Sequence, residues 1–144
     1  MPGSRSTSEQ HDRKHSSWWA STMSRIGPSR LDERRSNGEM FILDVRPEQQ
    51  YQEDHIPESY NAPVYHDLQR GNIEALDQYL NAIPDDTEII TVCKAGIVAR
   101  KATECLEEEG YTATTLTGGY TGWRQYERNT VLYRIVSFFR KAVW

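Results

Sequence analysis

The stretch Ile90 to Arg100, ITVCKAGIVAR, places a cysteine where an apolar run ends and a glycine-containing turn begins. Such a thiol precedes the first turn of a helix, whose backbone amides have no partners inside the helix. These amides and the helix dipole stabilise an anion, and Lys94 adds a positive charge next to Cys93. The pattern favours the thiolate over the thiol and therefore predicts that Cys93 is a nucleophile.

The residues that follow the cysteine are predicted to form an anion-binding loop. Gly96 can adopt backbone angles that other residues resist, so the loop can curl its amides around one centre. The opposing interpretation makes Cys93 a small apolar residue buried at a strand end, as free cysteines often are. The combination of strand, lysine, glycine and helix favours chemistry. The predicted binding residues are Lys94, Ala95, Gly96, Ile97, Val98, Ala99 and Arg100.

The second cysteine has a different prediction. Cys105 shares one predicted helix face with Ala102 and Leu106, which indicates packing. A disulfide with Cys93 is geometrically poor, because about nine helical residues at ~1.5 Å each exceed the bridging limit of ~7 Å. The histidines show no spacing with the cysteines that predicts a zinc site, so we expect no metal and no cofactor. They are His11, His15, His55 and His66.

The segments on both sides of this loop alternate between strand and helix patterns, and the predicted elements must position the loop. Two of the predicted strands are apolar without alternation, a pattern typical of strands covered on both faces. The order predicts an α/β fold in three layers, α/β/α, with a mostly parallel central sheet of about five strands. Ligand sites in such sheets lie beyond the carboxyl ends of the strands, where Cys93 is placed. The predicted strands are 22–26, 40–45, 60–64, Glu88–Val92 and Ala113–Leu116.

Composition limits the classes of function. The chain has 144 residues, a length that predicts one folded domain. A net charge of −4 argues against a nucleic-acid binder, which usually carries an excess of Lys and Arg. Two cysteines are too few for a secreted disulfide framework, and no signal peptide or membrane span is recognisable, so we expect a cytoplasmic setting.

Three segments are predicted along the chain. Residues 1–21 are polar and should be a disordered tail, residues 22–128 form the domain, and residues 129–144 form an amphipathic helix. We expect this last helix to pack on the domain; the alternative is a helix that binds a membrane surface or a partner. Its apolar stripe consists of Val131, Leu132, Ile135, Val136, Phe139 and Val143.

Four segments, in order and spacing, resemble the rhodanese family over about residues 22–128. The resemblance implies a rhodanese-like three-layer fold and a sulfurtransferase activity. In that activity Cys93 attacks a sulfane-sulfur donor such as thiosulfate, carries the sulfur as a persulfide and passes it to cyanide or another thiophilic acceptor. The segments are Leu43-Asp44-Val45-Arg46 with Glu48 and Tyr51, His55 to Pro63, the Cys93 loop, and Leu116 to Trp123.

The resemblance also implies roles for individual residues. The loop amides from Lys94 to Arg100 would hold the bound anion and the persulfide, and Asp44 and Arg46 would give structural support. We expect Arg46 to pair with Glu48. The implied partners are a small sulfur-containing anion or a persulfide donor, and the implied acceptors include a protein that receives the sulfur.

Two alternative functions remain open at this point. The start of the loop also resembles that of cysteine-dependent phosphatases and the related arsenate reductases, but these require a shorter spacing than the one from Cys93 to Arg100, and Val92 replaces their usual histidine. A binding or regulatory module would keep the fold without catalysis. Inactive relatives of that kind usually lack the cysteine, which is present here.

Overall fold

Five parallel strands form the centre of the molecule in the computed structural model, which describes residues 24–143. Their order across the sheet is β1-β5-β4-β2-β3, so β4 is central. All four neighbouring pairs are parallel, which confirms the predicted α/β class. The predicted tail, 1–21, lies outside the described residues. The strands are β1 (Arg25–Ile26), β2 (Met40–Asp44), β3 (Tyr60–Asn61), β4 (Glu88–Val92) and β5 (Ala113–Leu116).

Helices connect the strands and differ in detail from the prediction. The segment 73–83 has apolar residues at helical spacing and contains a 3-10 helix; residues 73, 76 and 79 are three apart, a spacing that fits this tighter helix as well as an α-helix. The predicted strand 60–64 is shorter, because Pro63 cannot donate a strand hydrogen bond. The helices are α1 (Pro28–Arg35), α2 (Glu48–Glu53), α3 (Tyr65–Gln69), the 3-10 helix (Ile73–Ala82), α4 (Ala99–Glu108) and α5 (Gly119–Val143).

The sheet is buried on both faces. Within β4, Ile89 belongs to the core on one face, and Ile90 and Val92 belong to the core on the other. This explains why the strand is apolar without alternation. The first core contains residues from α3, the 3-10 helix and α4, and the second contains residues from α1 and α5, so helices form a layer on each side.

The carboxyl ends of β2, β3 and β4 meet at one edge. The amide of Val45 donates to the carbonyl oxygen of Val92 at 2.8 Å, and the amide of Ala62 donates to that of Asp44 at 2.9 Å. These bonds extend the ladder past the last strand residues. The segments that follow the three strands therefore start side by side, at the edge where a ligand site is expected.

Glu107 is a buried carboxyl group on α4. Its side chain lies one turn beyond the buried Thr103, because the buried face of α4 is wider than the predicted apolar stripe. The residue is 8% exposed, and Oε2 has no hydrogen-bond partner within residues 24–143. Burial, with a smaller effect of Glu104, raises the pKa of Glu107 to about 7.

Replacing Glu107 by glutamine should stabilise the protein at alkaline pH. Because the carboxyl keeps its proton in the folded state but loses it on unfolding, stability falls as pH rises from about 4.5 to about 7. We expect Glu107→Gln to gain about 2 kcal/mol in the free energy of unfolding at pH 8, and much less at pH 4.5. Urea unfolding at both values measures this. The exposed neighbour Glu108→Gln serves as the control; an equal gain there would contradict the assignment.

Helix α5 has two halves with different surroundings. Trp123, in the first half, is 1% exposed and packs in the core that contains Ile26 and Leu31. The segment 129–143 continues the same helix without a break, and its side chains from 131 to 136 are exposed. The expected packing of this segment on the domain is therefore wrong, because a continuous helix carries it past the edge of the core. No helix in the described part of the chain is long and apolar enough to cross a membrane.

Candidate active site

Cys93 lies directly after β4 at the base of the loop. Its residue is 1% exposed, and its Sγ accepts a hydrogen bond from the Gly96 amide at 3.1 Å. Gly96 has φ of +86°, a left-handed conformation that favours glycine and sets the turn of the chain directly after the amide that contacts the sulfur. The thiol is therefore held at the bottom of the loop, and a reactant must approach it through the ring of loop residues.

The seven predicted loop residues are not equivalent. Val98 and Ala99 are buried and pack in the core, and this packing explains why their side chains are apolar. Ile97 is 70% exposed on the outer side of the loop. Arg100 is exposed on the first turn of α4. Lys94 and Ala95 are also exposed, so the side chains that a reactant can meet first are those of Lys94, Ala95 and Ile97.

Several loop amides are available to an anion. Apart from Gly96, the amides of Lys94, Ala95, Ile97 and Val98 form no hydrogen bond to another described residue. An anion at the helix start satisfies such donors, as in phosphate-binding loops. The loop can thus stabilise negative charge close to the Cys93 sulfur through backbone groups alone.

The start of α5 fixes the direction of these amides. The amide of Tyr120 donates to the Cys93 carbonyl at 2.8 Å, and that of Thr121 donates to the Lys94 carbonyl at 3.1 Å. In a trans peptide the N–H points opposite to the C=O. The amides of Lys94 and Ala95 therefore point away from α5, and the helix start orients the anion-binding side of the loop.

This contact requires glycine at the start of α5. Gly119 has φ of +58°, and a Cβ there would overlap the Cys93 carbonyl oxygen and lie 2.8 Å from the Gly96 nitrogen. Gly96 in turn faces the Gly118 nitrogen, which would be 3.0 Å from a Cβ. Glycines at these positions let two backbone segments touch, which the motif Leu116 to Trp123 did not reveal by itself.

Gly119→Ala should destabilise the protein more than backbone strain alone explains. We expect the added methyl group to cost about 1–3 kcal/mol in the free energy of unfolding beyond the cost of the left-handed angle, because the loop must shift. Gly38→Ala is the matched control, since Gly38 has φ of +70° and no atom within 4 Å of its ideal Cβ. Equal losses in the two variants, measured by urea unfolding, would show that the contact is unimportant.

A buried chain of hydroxyl groups supports the loop from below. The Thr91 and Thr103 hydroxyls are 2.7 Å apart, and the Thr103 and Thr115 hydroxyls are also 2.7 Å apart. Thr91 Oγ1 donates to the Ala99 carbonyl at 3.1 Å. The chain ties β4 to β5 and to the first residue of α4, which fixes the end of the loop. Sequence reasoning missed it, since each threonine alone is typical of a strand or helix.

Asp44 and Arg46 form a buried ion pair at the same sheet edge. Arg46 Nη2 donates to Asp44 Oδ2 at 2.8 Å, and Nε donates to Oδ1 at 3.0 Å. The expected pairing of Arg46 with Glu48 is wrong: Arg46 bonds Asp44 and the Asp54 carbonyl instead, because its side chain turns inward beneath α5. Its guanidinium lies 3.8 Å from the ring centroid of Tyr120, so the pair supports the helix that orients the loop.

A cleft of about 770 Å³ adjoins the loop at Lys94. Its lining contains four cations and two carboxylates, so it suits an anion. Sequence reasoning missed the contribution of α5, whose cleft-facing side depends on the fold. The lining residues are Arg46, Gln50, Glu53, Asp54, Lys94, Tyr120, Thr121, Arg124, Gln125 and Arg128.

Two other titratable groups, Tyr120 and Cys105, have a raised pKa and stay protonated at neutral pH. The Tyr120 hydroxyl is buried without a hydrogen-bond partner in the described part of the chain; burial and the nearby Asp54 raise the pKa of Tyr120, so it stays protonated. Cys105 is packed in the core, as predicted, and burial raises the pKa of its thiol to about 11. No three His, Cys, Asp or Glu residues between 24 and 143 cluster to hold a metal ion.

Comparison with known proteins places this site in a family. Residues 27–126 match the rhodanese-like domain. The chain is 33% identical over 78 residues to the thiosulfate sulfurtransferase PspE of Escherichia coli, across 54% of this chain and 67% of that protein. It is 37% identical over 68 residues to the adenylyltransferase and sulfurtransferase UBA4 of Eremothecium gossypii, across 46% of this chain and 15% of that protein.

A solved structure shows the same fold. A rhodanese-related protein from Thermoplasma volcanium has a TM-score of 0.60 at 22% identity, over 72% of this chain and 92% of that one. The family match covers most of the chain, from the residue after β1 to the first half of α5, and it includes the cysteine loop and the buried ion pair. The chain therefore belongs to the rhodanese-like domain family.

Proposed function

We propose that the protein is a sulfurtransferase that moves sulfane sulfur through a persulfide on Cys93. The observation that carries the proposal is the position of the sulfur: Cys93 Sγ accepts a hydrogen bond from the Gly96 amide at 3.1 Å, in a loop whose other amides from Lys94 to Val98 have no partner in the described chain. Such donors stabilise a thiolate before the reaction and a persulfide anion after it. Relatives named sulfurtransferases agree with this chemistry.

The reaction has two steps. With thiosulfate, the Cys93 thiolate attacks the outer sulfur; a sulfur–sulfur bond forms, and the bond to the sulfonate breaks, so that sulfite leaves with the electron pair. An acceptor such as cyanide then attacks the outer sulfur of the persulfide. Thiocyanate forms, and the electron pair returns to Cys93 as thiolate. Each step exchanges one bond for another and needs no external oxidant or reductant.

The cleft supports an anionic donor. Lys94 connects the loop to the cleft, where Arg124 and Arg128 add positive charge. A small sulfur-containing anion would be attracted to this region, and a persulfide donor or a protein acceptor could also reach the loop across the exposed Ile97. By contrast, Arg100 is exposed on α4 outside the cleft, which does not favour the phosphatase alternative.

The test is direct detection of the intermediate. The full chain would be incubated with excess thiosulfate, freed of donor, and examined by intact mass before and after cyanide. We expect a gain of one sulfur atom, about 32 Da, that disappears as thiocyanate forms. If neither thiosulfate nor a small persulfide loads the protein, the function is that of a binding module and the proposal fails.

A further inference from the structure

The second half of α5 exposes an apolar stripe that the proposed activity does not use. Among its residues Leu132 is 60% exposed and Phe139 is 61% exposed, and both flanking sides of the helix are also in solvent. Contiguous exposed apolar surface of this kind marks an interaction site. The stripe consists of Val131, Leu132, Ile135, Val136 and Phe139.

The stripe faces away from the domain. Successive helical residues are rotated by about 100°, so Leu132 lies about 180° and Phe139 about 160° from Trp123, which points into the core. The line that continues Trp123 instead carries Thr130, Arg134, Ser137 and Lys141. Because the helix is continuous, the stripe cannot reach the core of its own domain, and something outside the domain must cover it.

The charge of the segment around the stripe indicates what kind of surface covers it. Residues 128–143 carry four cations and no carboxylate, whereas the whole chain has a net charge of −4. A second copy of this helix would bring cations against cations, and residues 1–23, with three cations and two carboxylates, offer no negative excess. The cations are Arg128, Arg134, Arg140 and Lys141. An anionic surface complements this segment.

The width of the stripe favours a lipid surface over a groove in a protein. Two adjacent rows of apolar residues span roughly 140° of the helix, and the aromatic residues Tyr133 and Phe138 lie at its two edges. An interfacial helix has this arrangement, with a broad apolar face, cations on the polar side and aromatic rings near the headgroups. A helix that binds a protein groove usually needs only a narrower row of anchors.

We infer that the second half of α5 binds the surface of an anionic membrane, with the stripe in the boundary between headgroups and acyl chains. Arg124 and Arg128, which precede the stripe, also line the cleft beside Lys94. A membrane on the stripe therefore lies beside the mouth of the candidate active site. The inference does not depend on the sulfur chemistry, since it rests on the helix alone.

The test is co-sedimentation of the full chain with vesicles of phosphatidylcholine, with and without phosphatidylserine. We expect strong binding only with phosphatidylserine, weakened by salt, and a partition coefficient at least about tenfold lower for Ile135→Glu. Ile73→Glu is the matched control, because Ile73 is 40% exposed on another element and Ile135 is 47% exposed.

Three results would overturn the inference. The first is that the parent protein stays in solution with both kinds of vesicle, which would indicate that an acidic protein partner covers the stripe. The second is that Ile73→Glu reduces binding as much as Ile135→Glu. The third is that the parent forms a dimer without vesicles and Ile135→Glu dissociates it, which would assign the stripe to a second copy of the chain. Thermal unfolding verifies that the variants are folded.

Discussion

Cys93→Ser is expected to remove the sulfur adduct and to lower the rate of thiocyanate formation by at least about 1000-fold. A serine oxygen at this position cannot form a persulfide, and its proton is lost far less easily than that of a thiol. The loop amides that stabilise negative charge remain in place, so the loss of rate measures the contribution of the Cys93 nucleophile. Intact mass after thiosulfate and the initial rate with cyanide measure the two effects.

Cys105→Ser is the matched control for this variant. Cys105 is buried in the core, and the raised pKa of its thiol, about 11, keeps it protonated at neutral pH. We expect the adduct and most of the rate to be retained. An adduct that persists in Cys93→Ser, or disappears in Cys105→Ser, would move the chemistry to the other thiol. Thermal unfolding of both variants shows whether a buried hydroxyl has destabilised either one.

The sheet and the cysteine loop could be predicted because their signals are local. β2 and β4 are apolar over consecutive residues since both faces of each are buried, and β5 is preceded by the Gly110 turn. Cys93 follows directly after β4, and Gly96 adopts the positive φ that the loop requires. These features depend on neighbours in sequence, so the pattern of residue types is sufficient to predict them.

The support of the loop depends on contacts between distant segments. Arg46 was expected to bond Glu48, but the position of α5 over Arg46 turns its side chain toward Asp44. Thr91 meets Thr115 through Thr103 only because β4, β5 and α4 pack together. The pattern of residues within one segment cannot predict contacts with a distant segment. For the same reason, it could not predict that α5 places its cations in the cleft.

The end of α5 illustrates a further limit of sequence patterns. The apolar stripe from Val131 to Phe139 was recognisable, and helical structure was predicted for it. Its direction relative to the domain was not, because that depends on the angle between Trp123 and the stripe in one continuous helix. An amphipathic pattern defines a face but does not identify what the face contacts.

Arg46→Met should lower the free energy of unfolding by about 3–5 kcal/mol. The substitution leaves the Asp44 carboxylate, which is fully buried, without its guanidinium partner, and a buried unpaired charge is costly. Methionine keeps most of the side-chain volume, so the effect of an empty space is small. Arg70→Met is the control: Arg70 pairs with Asp67 but is 72% exposed, and we expect less than about 1 kcal/mol.

A double-mutant cycle separates the ion pair from the other contacts of Arg46. Asp44→Asn alone leaves the buried cation without its carboxylate, although the Asp54 carbonyl and the Tyr120 ring still contact it. If the pair is the main interaction, Asp44→Asn with Arg46→Met should be about 1–3 kcal/mol more stable than the sum of the single losses predicts. Additive losses would mean that Arg46 acts chiefly through Asp54 and Tyr120. In that case Arg46 would stabilise α5 and the loop that α5 orients independently of Asp44.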